Sequence, residues 1–245
     1  MRLALLSDIH GNLAALEAVV ADIRRRGADQ IVNLGDSLSG PLLPLETAHY
    51  LMATDWICLA GNSERQLLTL GPGTWGLSDE YAHSQLSTKE LDWLRSQQPA
   101  LRLTEEIFLC HGTPASDCEY FFETAIPGGT RPSTADEIEA RLYGERSPVV
   151  ACGHTHTQRS LRSRSGQLLV NCGSVGLPAF DDVFPLEHVV ETGSPDARYA
   201  ILEKVGGAWR AGLYTVPYDH ESMARLASER GRPEWALGLR TGYMS

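Results

Sequence analysis

Apolar residues along this chain fall into two alternating patterns. Residues 2–7 form a short, nearly continuous apolar run that is typical of a buried strand. Residues 13–23 carry apolar side chains at every third or fourth position, as one face of a helix does. A second apolar run at residues 30–34 completes a strand–helix–strand order, which predicts a right-handed βαβ unit with parallel strands.

The same two patterns predict the elements farther along the chain. Apolar runs predict strands over residues 56–60, 106–110, 148–152 and 167–171, and a hairpin of residues 198–204 and 209–216. Helical spacing predicts helices over residues 45–52 and 220–230, and capping boxes that begin at Ser87 and Thr134 predict two more, the second ending near Tyr143. Two glycines and a proline in residues 128–132 predict a loop.

Length and composition are those of a globular chain that buries its own core. The 245 residues contain 42% hydrophobic and 21% charged side chains, which is an ordinary balance. No internal repeat and no linker interrupts the pattern of elements. We therefore expect a single domain over residues 1–245, with a core over 1–216 and a helical tail over 217–245.

Charge, cysteine spacing and hydropathy exclude several classes of protein. The net charge of -10 disfavours stable nucleic-acid binding, which needs a basic surface. The five cysteines form no metal-binding pairs, so we expect free thiols. The N-terminal apolar run is too short for a signal peptide, and no stretch approaches the roughly 18 apolar residues of a membrane span. We expect a cytoplasmic protein without membrane contact, and the sequence leaves homo-oligomer formation open.

Ligand-type side chains follow several predicted strands at the point where each strand ends. These residues are Asp8, His10, Asp36, Asn62, His111, His154 and His156. Because ligand sites of parallel sheets lie beyond the carboxyl ends of the strands, we expect these side chains to meet. All seven offer oxygen or imidazole nitrogen. Seven donors exceed the need of one structural zinc and fit two ions that share a carboxylate.

His154 and His156 form the most compact part of this set. In extended backbone, residues two apart point to the same side, so both imidazoles would face one cleft. Two histidines in a loop are by themselves more often surface residues than ligands. The other strand ends favour the metal interpretation.

The residues also carry a resemblance to a known family. The order D-x-H, G-D, G-N-x-E, H-G and G-H-T-H, over residues 3–205, resembles the calcineurin-like metallophosphoesterases. The NCGSVGLP stretch and residues 216–219 resemble a small prokaryotic branch of predicted phosphodiesterases. The resemblance implies an α/β fold, namely a four-layer αββα sandwich in which two mixed β-sheets face each other and metals lie at the strand ends.

The resemblance further implies a role for each candidate residue. Three residues would bind a first ion: Asp8, His10 and His156. Three would bind a second: Asn62, His111 and His154. Asp36 would bridge the two divalent ions, for which Mn²⁺, Fe²⁺/Fe³⁺, Zn²⁺ and Ni²⁺ are the candidates. The implied reaction is hydrolysis of a small phosphorylated substrate such as a nucleotide, by a phosphodiesterase or nucleotide pyrophosphohydrolase whose metal-bridging hydroxide attacks phosphorus in line.

One residue departs from the family pattern. Where the family usually has the histidine thought to protonate the leaving group, this chain has Ser63, whose hydroxyl is no acid near neutral pH. Either the substrate has a leaving group that departs unprotonated, or another residue donates the proton, with His49, His83 and Glu64 as candidates. Glu64 is also expected to help orient Asn62.

Two further alternatives stay open at the level of sequence. A metal-binding regulatory protein with weak or vestigial hydrolase activity would also tolerate Ser63, although such a protein has no need of seven donors. A nuclease subunit is disfavoured by the acidic composition. Arg65 is a candidate for contact with substrate phosphate, but an ordinary arginine on a helix surface is the favoured interpretation.

Overall fold

The structure is a computed structural model and describes residues 1–245. The strands are β1 (Arg2–Leu6), β2 (Gln30–Asn33), β3 (Ile57–Cys58), β4 (Ala100–Arg102), β5 (Ile107–Cys110), β6 (Glu123–Ile126), β7 (Gly129–Pro132), β8 (Val149–Cys152), β9 (Arg159–Arg162), β10 (Leu168–Asn171), β11 (Ala179–Asp182), β12 (His188–Glu191), β13 (Ala197–Val205) and β14 (Ala208–Val216). The helices are α1 (Leu13–Arg26), α2 (Pro44–Met52), α3 (Asn62–Thr69), α4 (Leu77–Gln85), α5 (Thr88–Arg95), α6 (Ala135–Arg141), α7 (His220–Glu229) and α8 (Pro233–Thr241).

Two five-stranded sheets form the centre of the molecule. The first has the strand order β14-β13-β1-β2-β3, and the second has the order β4-β5-β8-β10-β9. In the first sheet β1 is parallel to β2 and antiparallel to β13. In the second sheet β8 is parallel to both β5 and β10, while β4 and β9 run antiparallel at the edges. Both sheets are therefore mixed.

Alternation along β1 shows how the layers stack. Leu3 and Leu5 point into an apolar interface to which both sheets contribute, and Ala4 and Leu6 point to the opposite face, against α1. On the far side of the second sheet, Ile138 of α6 packs with other buried apolar residues. Helix, sheet, sheet and helix follow in this order, so the expected αββα sandwich is confirmed.

Several elements differ from the expectations. The strand predicted over residues 56–60 is only Ile57–Cys58. The Leu59 N–H still donates to the Asn33 carbonyl of β2, but Leu59 also forms an isolated bridge with Gln98. The loop predicted over residues 128–132 is wrong: Gly129–Pro132 forms β7 and pairs with β6. Pro132 lies at the end of that ribbon, where proline is tolerated. The polar strands β9, β11 and β12 carry no strong apolar pattern and were not predicted.

The C-terminal segment also contains more structure than the sequence suggested. Helix α7 matches the prediction, but a further helix, α8, follows it and packs against it through an apolar cluster that includes Trp235 and Leu239. The same helix contacts β11. No helix in the chain is both long enough and apolar enough to span a bilayer. The expectation of a single domain stays a prediction.

Candidate metal centre

The ligand-type residues that follow the strands lie together at one end of the two sheets. Asp8 follows β1, Asp36 follows β2, and Asn62 begins α3 just after β3. His10 follows β1 as Asp8 does, His111 follows β5, and the loop after β8 carries His154 and His156. Both sheets therefore contribute donors to one cleft, as the rule for strand ends predicts.

The donors divide into two groups of three. Asp8, His10 and His156 can bring one donor atom each within 4.8 Å of one another, and so can Asp36, His111 and His154. In the first group, Asp8 Oδ1 lies 3.3 Å from His156 Nε2 and 4.0 Å from His10 Nε2. These are the spacings of donor atoms that could share one ion.

The second group lies beside the first. Asp36 Oδ1 is 3.3 Å from His111 Nε2, and Asn62 Oδ1 is 3.2 Å from the same nitrogen. Asp8 Oδ1 is 3.8 Å from His111 Nε2, so this oxygen faces both groups. All seven residues named from the sequence thus line one centre, in the two groups that the resemblance implied. Their roles as ligands stay a prediction.

Backbone carbonyls fix the orientation of the imidazole rings. The Nδ1 atoms of His10, His111 and His156 lie 2.7, 3.0 and 2.6 Å from the carbonyl oxygens of Ser39, Leu34 and Leu177. A carbonyl oxygen only accepts, so each Nδ1 carries a proton and donates it. In the neutral rings each Nε2 then presents a lone pair to the cleft, which is the form that binds metal.

Five of the seven residues adopt an unusual backbone conformation. The φ angles of Asp8, His10, Asp36, His154 and His156 lie between 51° and 67°. A residue with a side chain rarely has positive φ, and such strain costs about 1–3 kcal/mol per residue and clusters at functional sites. The expectation that the loop of His154 and His156 is extended is therefore wrong. Their side chains separate, one into each group.

Hydrogen bonds to the Glu64 carboxylate hold the strained turn around Asp36. This buried carboxylate accepts from the backbone N–H groups of Asp36 at 2.8 Å, Ser37 at 2.7 Å and Gly61 at 2.7 Å. A side chain at Gly61 would collide with the Asp36 carboxylate, so this position requires glycine. The expected contact between Glu64 and the Asn62 side chain is absent. Asn62 Nδ2 lies 3.4 Å from Gln66 Oε1 instead.

A second buried carboxylate, Glu123, holds the loop between the last two histidines. Thr155 Oγ1 donates to Glu123 Oε2 at 2.7 Å and accepts from Asn171 Nδ2 at 2.9 Å. Arg159 Nε donates to the other oxygen of Glu123 at 2.8 Å, so the charge of this carboxylate is compensated. No motif of the sequence pointed to Glu123. For Thr155, the only indication in the sequence is its position between two predicted ligands, His154 and His156.

The electrostatics of the centre call for positive charge. Burial alone would lower the pKa of His111, but the carboxylates of Asp36 and Asp8 outweigh it and raise the pKa to about 10. Without a cation the ring therefore holds a proton, and its Nε2 faces the Asp36 and Asp8 oxygens at 3.3 and 3.8 Å. Burial lowers the pKa of His154 to about 4, so this ring is neutral at pH 7. Burial would raise the pKa of Asp36, but His111 and other imidazoles hold it well below its usual value.

Two observations show that the centre fits divalent cations. Asp8 Oδ1 is buried and has no hydrogen-bond partner, which is costly for a carboxylate unless a cation compensates it. The Nε2 atoms of His10 and His156 lie 3.2 Å apart, and two lone pairs at that distance repel each other unless a cation lies between them. Oxygen and imidazole donors suit several first-row ions.

Comparison with known proteins identifies the family. Residues 1–192 match the calcineurin-like phosphoesterase superfamily domain. The chain belongs to this superfamily. It is a family of metal-dependent phosphoesterases, and the two groups of histidine and aspartate described above are where such metals would bind.

Relatives over the full length show the same fold. An uncharacterized protein of Methanocaldococcus jannaschii is 26% identical over 255 residues, which cover 97% of this chain and 96% of that protein. The solved structure of a metallophosphoesterase from Sphaerobacter thermophilus matches with a TM-score of 0.76 at 24% identity, over 98% of both chains. That of a hypothetical protein from Pyrococcus horikoshii OT3 matches with a TM-score of 0.73 at 16% identity, over 100% of this chain and 99% of that one.

Ser63 lies in the cleft at the start of α3, at the position where the family resemblance places a histidine. Its backbone N–H donates to Asp36 Oδ1 at 2.9 Å, and the residue is buried against the metal centre. Two proposed substitutes for that histidine lie elsewhere. His49 pairs with Glu90, and His83 stacks on Trp75 with 4.3 Å between ring centroids.

Glu64 and Arg65, which follow Ser63, are both engaged with other partners. The Glu64 oxygens are occupied by the backbone bonds described above, although burial and the charge of Asp36 raise its pKa to about 6. Arg65 Nε donates to Asp117 Oδ2 at 2.6 Å and Nη2 donates to Oδ1 at 3.1 Å. Arg65 does not line the cleft, so the structure favours the interpretation of a surface ion pair for this residue.

Helix α8 supplies a wall of the cleft that the sequence did not reveal. The cleft has a volume of about 220 Å³ and includes donors of both groups. Arg232, at the N-terminus of α8, and Trp235 line it beside Phe180 of β11. The Trp235 ring stands edge-on to His10 at 6.0 Å between centroids, and Phe180 lies 4.5 Å from His156. The residues matched to the family domain end before α8, so this wall lies outside that match.

Proposed function

We propose that the protein is a dinuclear metal-dependent phosphoesterase that hydrolyses phosphodiesters or phosphoanhydrides with good leaving groups. The observation that carries the proposal is the pair of adjacent His–Asp groups around an unpartnered, buried carboxylate oxygen, Asp8 Oδ1. Asp8, His10 and His156 would hold one ion, and Asn62, His111 and His154 the other. Asp36, whose Oδ1 lies 3.3 Å from His111 Nε2, would bridge them, as the family resemblance implies.

The chain's own residues would hold the site ready for the reaction. When bound, two divalent cations supply Lewis-acid stabilisation of a phosphoryl group and lower the pKa of water. The carbonyls that accept from the imidazoles keep each ring in the metal-binding tautomer. Glu64 keeps the turn of Asp36 in its strained form. Because the donors are fixed before substrate binds, little reorganisation is needed during the reaction.

Ser63 determines which leaving groups the site can accommodate. A serine cannot protonate an alkoxide at neutral pH, and a positioned general acid contributes about 10²–10⁴-fold. His49, His83 and Glu64 present no free acid to the cleft. Substrates whose leaving group departs as a stable anion, such as activated aryl diesters and phosphoanhydrides, therefore suit this site, and simple alkyl phosphates do not.

A substrate panel with one substitution tests the proposal. The protein is loaded with Mn²⁺, Fe²⁺, Zn²⁺ or Ni²⁺ in turn, and hydrolysis of bis(4-nitrophenyl) phosphate, nucleotide anhydrides and alkyl phosphates is followed. We expect turnover of the first two classes and a gain on alkyl phosphates for Ser63→His. No turnover with any metal would contradict the enzyme and favour a metal-binding regulatory protein. Equal turnover of alkyl phosphates by the unaltered protein would contradict the role given to Ser63.

The proposal also covers location and substrate size. We propose a cytoplasmic enzyme that acts on small phosphorylated molecules such as nucleotides; the net charge of -10 disfavours binding of long nucleic acids.

A further inference from the structure

Helix α8 brings one permanent positive charge into the metal cleft. Among the side chains that line the cleft, Arg232 is the only lysine or arginine. The carboxylates of Asp181, Asp182 and Glu234 line the same space. The donors of the metal centre do not contact this arginine, so its position in the cleft is not explained by the metal centre itself.

The guanidinium of Arg232 is fixed but not saturated. Its Nε donates to Glu234 Oε1, its Nη1 donates to Ser78 Oγ at 3.0 Å, and its Cζ lies 5.6 Å from the Trp235 ring centroid. The side chain is only 14% exposed. A guanidinium has five N–H donors in a planar fork. The remaining N–H of Nη1 and both of Nη2 have no partner, so one edge of the fork is free for an anion.

Arg232 and the metal centre share one cleft. The Trp235 ring lies 6.0 Å from the His10 ring and 5.6 Å from the Arg232 guanidinium, and Arg232 lines the cleft together with donors of both groups. A ligand bound at the metal centre therefore occupies the same cleft as Arg232. Arginine forks match phosphate oxygens in a bidentate way.

We propose that Arg232 binds a second phosphate of the substrate, the one that leaves. This inference rests on the proposed hydrolase function and narrows it to organic diphosphates, such as nucleoside diphosphates and their esters. In the reaction, a water oxygen bonds to phosphorus and the bond from phosphorus to the bridging oxygen breaks. The electron pair stays on the bridging oxygen, the departing phosphate is an anion, and the water proton passes to solvent.

Arg232 then compensates for Ser63. A family member with a histidine at that position would neutralise its leaving group with a proton, whereas here a fixed guanidinium would neutralise the charge of a leaving phosphate. The carboxylates of Asp181 and Asp182 add negative charge to the same cleft, which disfavours longer and more highly charged polyphosphates.

Ligand affinity measured on the Mn²⁺-loaded protein tests this subsite. The probes are α,β-methylene-ADP, which carries two phosphates and resists hydrolysis, and AMP, which carries one. We expect Arg232→Ala to weaken binding of the diphosphate about 10- to 100-fold, as loss of a charged hydrogen-bonded contact does, and binding of AMP by less than about threefold. Arg232→Lys keeps the charge without the fork and should give an intermediate loss.

Two matched variants separate ligand binding from a structural role. Arg240→Ala removes another arginine of α8, one that pairs with Glu221 away from the cleft, and should leave both affinities unchanged. Glu234→Gln removes a negative charge of the cleft and the ion pair with Arg232, while the amide oxygen of glutamine can still accept from Arg232 Nε. If Arg232 only anchors α8, Glu234→Gln should weaken diphosphate binding as Arg232→Ala does; a binding role predicts unchanged or tighter binding.

The outcomes distinguish this inference from the proposed function. In Arg232→Ala, hydrolysis of a nucleoside diphosphate should fall by a larger factor than hydrolysis of bis(4-nitrophenyl) phosphate, which has no second phosphate. If the unaltered protein hydrolyses no substrate, the proposed function is wrong. The affinities for the diphosphate and AMP, measured by calorimetry, still test whether Arg232 binds a second phosphate. Equal losses for AMP and the diphosphate, or no loss in either, would overturn the role of Arg232. If Arg232→Ala does not fold, the comparison of Arg232→Lys with Arg240→Ala decides.

Discussion

The interface between the two sheets and the loops at the end of the same strands are held by different forces. Between the sheets, buried apolar side chains such as Leu5, Val170 and Leu202 pack from both sides. At the strand ends, buried polar residues with positive φ are held by hydrogen bonds to carbonyls and carboxylates. Only one residue separates the last residue of β1, Leu6, from Asp8. Stability and chemistry are therefore divided between neighbouring residues of the same strands.

The difference has a thermodynamic consequence. Apolar burial at the interface stabilises the fold by about 25 cal/mol per Å². Strained backbone and converging carboxylates at the strand ends destabilise it unless cations are present. We therefore expect substitutions in the two regions to have opposite signatures. Three substitutions test this expectation and a fourth tests a buried carboxylate outside both regions, from the largest effect to the smallest.

Asp36→Asn should abolish chemistry and spare the fold. Loss of a carboxylate shared by two ions should lower kcat/KM for bis(4-nitrophenyl) phosphate more than about 1,000-fold, since even residues that merely orient metal ligands contribute about 10- to 100-fold. The metal-free variant should stay folded, with only the loss of stability that follows from removing the carboxylate partner of the protonated His111. Asp92→Asn, on the exposed surface of α5, serves as the control. If Asp36→Asn keeps its activity, Asp36 is not a ligand shared by two ions.

Leu202→Ala should lower the stability of the fold and leave the chemistry unchanged. The Leu202 side chain is fully buried between the sheets, so its truncation should lower the free energy of unfolding by about 2–5 kcal/mol. The kcat/KM of the folded fraction should not change. Leu213→Ala, on the exposed part of β14, is the matched control and should have a much smaller effect on stability. A large loss of specific activity in Leu202→Ala would mean that the two regions are coupled.

Thr155→Val probes the boundary between the regions. The change keeps the shape of the side chain and removes the link from Thr155 to Glu123 and Asn171, which positions both neighbouring histidines. We expect metal affinity to fall about 10- to 100-fold, measured by calorimetric titration with Mn²⁺. Thr215→Val, at an exposed position of β14, should leave the affinity unchanged. Unchanged affinity in Thr155→Val would show that the loop holds its conformation without this link.

Glu90→Gln tests a buried carboxylate outside the centre. Hydrogen bonds from Ser87, mainly from its hydroxyl, lower the pKa of Glu90 from 4.5 to about 2. A depressed carboxyl pKa adds stability above pH 4.5, and this stability is lost as the pH falls toward 2. The variant should lose about 1 kcal/mol at pH 7 and show a shallower loss in acid, by urea denaturation at several pH values. Glu105→Gln, at an exposed position without such bonds, should behave as the unaltered protein.

The sequence predicts the metal end of the molecule better than the rest of the fold. Apolar runs that stop before glycine or a polar residue located β1, β2, β5 and β8, and with them every candidate donor except Asn62, which follows the shorter β3. Strands such as β9 (Arg159–Arg162) and β11 (Ala179–Asp182) are not predicted by the sequence, because their polar or mixed residues form strands only through pairing with neighbouring strands. Pairing of distant segments is not visible in local periodicity.

The conformation of the site was less predictable than its composition. Positive φ at Asp8 and at His154 is imposed by tertiary hydrogen bonds, whereas the residues themselves favour negative φ. Arg232 could not be assigned either, because its place in the cleft depends on how α8 packs against β11 and α7. Motifs fix the donors along the chain, but the substrate wall depends on the packing of remote elements.

The number of divalent ions bound by the folded chain tests the central claim most directly. The protein is saturated with Mn²⁺, freed of unbound metal, and analysed for metal and protein by mass spectrometry, together with Asp36→Asn. The two His–Asp groups predict two ions per chain in the unaltered protein and fewer in the variant. One ion or none in the unaltered protein, or two in both, would contradict a dinuclear centre bridged by Asp36.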